Sequence, residues 1–109
     1  MYIKRFKDVE EVERQYGRSS KLLSKKVTEN LDIGLYKVKK GVSTIPRIHE
    51  NEEQAYIILS DKGRMRINNE EQDVEEGMVL YIPRKSEHNI KNTGKSELIY
   101  ICVSDWPIT

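Results

Sequence analysis

From Val27 onward, apolar and polar residues fall into short β-rich runs broken by turn residues every eight to twelve positions, the rhythm of a sandwich or barrel. The runs are Ile33–Val38, Thr44–His49, Ala55–Ser60, Gly63–Ile67, Gln72–Val74, Met78–Ile82, His88–Asn92 and Leu98–Val103. Between them stand Lys40-Gly41, Asp61-Lys62-Gly63, Asn68-Asn69, Glu76-Gly77, Pro83 to Ser86 and Asn92-Thr93-Gly94, which tolerate positive φ or open turns. Eight strands close a small jelly roll, so the expected fold is all-β. Helical spacing occurs only near the start, in Phe6, Val9 and Val12, with acidic residues between Asp8 and Glu13 for a first turn, and Gly17 ends it. The expectation is a single domain over 1–109, with a short N-terminal helical or irregular segment and a barrel over about 27–105.

Strand alternation sorts side chains into faces. Arg47 and His49 share one face, and Gln54, Tyr56 and Ile58 lie together, with Glu53 on the other side unless a bulge intervenes. At 109 residues one core is feasible and two are not. Hydrophobic residues at 37% and charged residues at 34% suit a water-facing domain rather than a disordered chain. Runs such as Tyr56–Leu59 fall far short of the roughly 20 apolar residues of a membrane helix, and the basic N-terminus lacks the apolar block of a signal peptide. Cys102, the single cysteine, excludes an internal disulfide and suits a buried thiol in a reducing compartment. These features point to a soluble, cytoplasmic protein without a membrane partner.

Net charge is +1, without the positive excess of a nucleic-acid binder. The sign varies locally: residues 1–26 hold eight basic and four acidic side chains, and residues 49–76 three basic and nine acidic ones. Solvated faces account for such segregation, and head-to-tail attraction between two copies is the alternative. The basic stretch from Arg14 to Lys26 carries one aromatic, Tyr16, and no nucleic-acid signature. A Cys102-His nucleophile pair is disfavoured, because an apolar setting raises rather than lowers a thiol pKa.

The chain has two histidines, each in a recognisable frame. In Gly77-Met-Val-Leu-Tyr-Ile-Pro83-Arg-Lys85-Ser-Glu-His88-Asn-Ile-Lys-Asn92, the residues Gly77, Pro83, His88 and Asn92 fit every spacing of the second motif of the cupin family, with Lys85 where that family usually has glycine. The first cupin motif is similar to the stretch from Gly41 through His49. There Arg47 takes the first histidine position, Glu53 or Gln54 the glutamate position, and Asp61 the glycine position counted from Gln54. The resemblance covers about residues 33–103 and implies a double-stranded β-helix barrel. It also implies a divalent metal inside, commonly held in cupins by three histidines and a glutamate.

Carried over residue by residue, the resemblance makes His49, His88 and Gln54 (or Glu53) the metal candidates. The ion would be a divalent transition metal, with Mn, Fe, Ni and Zn all suited to such donors. Arg47 counts against it, since a guanidinium aimed at the same centre repels a dication unless it turns outward toward Glu50, Glu52 or Glu53. Two functions follow. One is a metal-dependent small-molecule enzyme of the isomerase, epimerase or dioxygenase class, with Glu53 as catalytic base and Arg47 and Tyr56 binding substrate. The other is a metal-free module that binds or senses a sugar or small organic anion through Arg47, His49 and His88. Tyr81 and Tyr100 are further candidates for the pocket wall. Resemblance also implies a homodimer, with Trp106 as a contact at the interface or at the barrel's closure.

Overall fold

Alternating burial is the organising feature of the structure, a computed structural model that describes residues 1–105. It is clearest in β5, β9 and β10 among ten strands: β1 (Val12–Arg14), β2 (Gly17–Leu23), β3 (Leu31–Val38), β4 (Arg47–Ile48), β5 (Glu53–Ser60), β6 (Lys62–Ile67), β7 (Glu70–Glu75), β8 (Val79–Ile82), β9 (Glu87–Asn92) and β10 (Leu98–Asp105). They form two antiparallel sheets, one of six strands in the order β1-β2-β3-β10-β5-β8 and one of four in the order β4-β9-β6-β7. Between the sheets pack Val38, Ile58, Met65, Val74, Ile82, Ile90 and Leu98, one face of each strand, as period-2 patterning requires. No helix among the described residues is long and apolar enough to cross a membrane. Trp106 lies outside the described residues.

The N-terminal segment departs from its helical spacing. Only Phe6–Asp8 forms a turn of 3-10 helix, and the chain then extends into the β1–β2 hairpin, in which Arg14 faces Gly17. A short amphipathic stretch cannot recover the cost of helix nucleation, whereas as a strand it pairs with β2 and forms the edge of the larger sheet. Gly17 makes this possible, because a Cβ there would overlap the Lys37 carbonyl oxygen.

The strand expected over Thr44–His49 shrinks to Arg47–Ile48. Pro46 has no N–H to give a ladder. Thr44 compensates by accepting the Ile90 N–H on its hydroxyl at 3.0 Å while its own N–H reaches the Ile90 carbonyl at 2.9 Å.

Two departures from the cupin frame prove conformationally faithful. Lys85 and Asp61, both at positions where the family has glycine, adopt φ of 63° and 67°. The left-handed turn is retained without the residue that makes it cheap.

Candidate functional site

Register decides which polar side chains reach the interior. Arg47 on β4 pairs directly with His88 on β9, and Gln54, Tyr56 and Ile58 alternate inward along β5 opposite Ser104, Cys102 and Tyr100 of β10. The inward polar residues surround a cavity of about 420 Å³. Its floor is buried, with Gln54, Tyr100, Cys102 and Ser104, and its rim carries the exposed side chains of Arg14 and Arg47.

His49 and His88 lie with ring centroids 5.3 Å apart. Each has its Nδ1 occupied: His49 at 3.0 Å from Glu52 Oε1, and His88 at 3.4 Å from the Ser86 carbonyl oxygen. Both partners accept, so each Nδ1 carries the hydrogen, and in a neutral ring Nε2 keeps its lone pair. Burial lowers the His88 pKa below its usual value, partly offset by that carbonyl, which favours the neutral ring. The Lys85 N–H bonds the His49 carbonyl at 2.9 Å, tying the two histidine segments together.

Gln54 completes the cluster. Its Nε2 donates to Glu52 Oε1 at 3.0 Å and to Ser104 Oγ at 3.1 Å. Because the Glu52 carboxylate only accepts, the amide orientation is fixed. Its Oε1 is left buried with no hydrogen-bond partner, a costly state for a carbonyl oxygen.

Behind these groups runs a wall of rings. Tyr36 stacks on Tyr100 at 5.4 Å, Tyr100 on Tyr56 at 4.4 Å, and Tyr56 meets His88 edge-on at 6.2 Å. Burial drives the Tyr36, Tyr56 and Tyr100 pKa values upward, so the phenols stay neutral.

The structure does not bring every sequence candidate to the cavity. Glu53 points outward, accepting from Tyr81 Oη at 2.8 Å and from Arg84 Nη1 at 3.2 Å. The β5 pleat that turns Gln54 inward necessarily turns Glu53 out, and Tyr81 is exposed beside it. Of the two carboxylates that line the cavity, Asp32 and Glu52, the one beside the histidines is Glu52, buried, with a pKa raised by that burial and partly restored by His49. It had a signal in the sequence, since it shares a face with Gln54 at i−2 and follows His49 by three.

His49, His88 and the Gln54 carbonyl oxygen are thus a three-donor set, two imidazoles and an uncharged oxygen, that suits a weakly held divalent metal. The orphaned Oε1 is the observation that favours the fit. The missing charge limits it, for among the described residues no three His, Cys, Asp or Glu side chains are grouped to hold a metal ion.

Residues 34–104 match the profile of a protein family described as "Cupin domain". An uncharacterized protein of Methanocaldococcus jannaschii is 37% identical over 67 residues, which make up 62% of this chain and 54% of that one. The matched stretch therefore spans about half the length of that relative. Among solved structures, a predicted oxalate decarboxylase from Thermotoga maritima superposes with a TM-score of 0.87 at 23% identity, covering 97% of this chain and 100% of that one. The polyketide cyclase RemF from Streptomyces resistomycificus gives 0.82 at 17%, covering 96% and 79%. At such identities the two structures speak for the fold.

Proposed function

The chain belongs to the cupin family, and on that premise we propose that its barrel binds a small organic acid beside a weakly held divalent transition metal, as an enzyme of the isomerase, epimerase or dioxygenase class. The observation that carries this reading is the buried, unpartnered Gln54 Oε1 beside two imidazoles whose Nδ1 atoms are tied. His49 Nε2, His88 Nε2 and Gln54 Oε1 would hold the ion, which when bound supplies Lewis acidity toward a ligand oxygen.

The remaining chemistry belongs to the chain. Glu52 holds the His49 ring through Nδ1 and, with a carboxyl pKa raised by burial, is the cavity's acid-base group in place of Glu53. Arg47, cross-strand from His88, orients the acid's carboxylate. The Tyr36, Tyr100 and Tyr56 stack excludes water from the floor and fixes the His88 ring.

A metal-free binding or sensing module is the second reading, favoured by the guanidinium at a family histidine position and by the absence of a carboxylate from the donor set. Elemental analysis of untagged protein incubated with Mn, Fe, Ni or Zn separates the two. The first reading expects bound metal that His88→Ala loses and that Arg47→His tightens by tenfold or more. No metal in the parent, even in excess, leaves the second.

We also propose that two copies associate through the outer face of the six-stranded sheet. There Ile101, Ile57 and Val79 form one apolar row across three strands, continued by Leu35, which the chain itself already buries, and Ile33, Val103, Ala55 and Tyr81 form a second.

A further inference from the structure

The charged groups of the cavity wall, once matched, leave two guanidiniums over. Lys21 Nζ reaches Asp32 Oδ1 at 2.6 Å, and Glu52 is engaged by His49 and Gln54. Of the arginines outside the cavity, Arg5 near the N-terminus is exposed, and Arg18, Arg64, Arg66 and Arg84 each meet a carboxylate. Arg14 and Arg47 do not. Among the described residues neither has a carboxylate within ion-pair distance, and the one hydrogen bond of Arg14 uses Nε, donated to Ser19 Oγ at 2.9 Å, which leaves its terminal nitrogens to the cavity.

The two come from different sheets. Arg14 sits at the end of β1 in the hairpin, and Arg47 on β4 in the other sheet. Tyr16, in the hairpin turn, lines the cavity with both: burial raises its phenol, while a hydrogen bond with Ser19 and then the fields of Arg14 and Arg47 act in the opposite sense. The rim is therefore rich in donors and, with both wall carboxylates engaged, poor in acceptors. That combination fits an oxyanion better than a neutral sugar, whose hydroxyls need acceptors as well as donors.

We propose that Arg14, Arg47 and the Tyr16 hydroxyl form an oxyanion subsite at the cavity mouth that grips the distal carboxylate or phosphate of a ligand whose other end reaches His49, His88 and Gln54. The ligand is then a compact dianion or a phosphorylated small molecule, of a size that about 420 Å³ accommodates. The subsite rests on the small-molecule reading of the cavity but not on the metal, since none of its three groups belongs to the donor set. It also assigns a task to the hairpin, which lies outside the region matched to the family.

Calorimetric titration of the full chain at low salt tests this, with glutarate, butyrate and inorganic phosphate as probes. Glutarate or phosphate should saturate the parent and bind better than butyrate, glutarate leading if the natural group is a carboxylate and phosphate leading if it is a phosphate. Arg14→Gln and Arg47→Gln should each weaken the better probe by about tenfold or more, as loss of a charge-assisted contact does. Arg14→Lys should recover part of the loss, since charge is kept while the fork is not, and it serves in place of Arg14→Gln if that variant loses its near-UV circular dichroism. Arg64→Gln, which removes a guanidinium that pairs with Asp73 away from the cavity, should leave phosphate affinity within about twofold, as a change outside the contact network does. Absence of saturable binding to the parent, or an Arg14→Gln affinity within twofold of it, overturns the subsite. A parent that takes up no metal yet binds phosphate through Arg14 overturns the metal reading alone.

Discussion

Cys102 shows how far an interior position governs a single group. Its thiol is buried on the cavity floor, 3.7 Å from Ser104 Oγ, and burial pushes its pKa up to about 11 from an ordinary 9.0. Only the thiolate is alkylated. At pH 8 the folded protein should therefore react with iodoacetamide about a hundredfold more slowly than the urea-unfolded chain, the ratio of thiolate fractions those two pKa values give. Equal rates would place the thiol in water. The burial of Cys102 was legible from its apolar run, whereas the choice between Glu53 and Gln54 was not. The family's spacing admits either, and only the start of β5 settles which faces inward. Lys85 and Asp61 illustrate a complementary limit: a left-handed turn persists there beneath side chains that do not advertise it.

At the scale of elements, Asn92 is the joint between sheets. Its Nδ2 donates at 2.8 Å to the Val38 carbonyl at the end of β3 and at 2.8 Å to the Ser96 carbonyl, and its Oδ1 accepts the Gly94 N–H at 2.9 Å. The side chain is 1% exposed, so Asn92→Ala strands three partners at once and should cost about 2–4 kcal/mol. Urea unfolding should show this as a lower midpoint at unchanged slope; a loss within about 0.5 kcal/mol would mean the turn is held otherwise. The strands from β3 onward, apart from the trimmed β4, follow the alternation the sequence displays. β1 and β2 were illegible for a physical reason: Val12 shares helical spacing with Phe6 and Val9, and its pairing with Ser19 is decided by contacts distant in sequence.

For the molecule as a whole, the outer face of the larger sheet holds the clearest consequence. Val79 is 69% exposed at the end of an apolar row that continues through Ile57 and Ile101, an arrangement that monomers rarely leave bare over a large area. Light scattering after size exclusion should report a dimer for the parent and a monomer for Val79→Lys, with little change in unfolding midpoint because the site is already solvated in the single chain. A monomeric parent would refute the association. The β1–β2 hairpin has a different kind of consequence, one of descent. Its one strand ladder to the rest of the molecule is with β3, reinforced by the Arg18–Glu97 ion pair, and it sets Arg14 and Tyr16 against a floor built by β5, β9 and β10. Such a barrel divides its inheritance: strands under packing constraint preserve the interior, and an edge hairpin that supplies none of the buried apolar cluster is free to vary what the mouth admits. New ligand preferences then arise by altering a dozen residues at the margin, without disturbing the core that makes the fold stable.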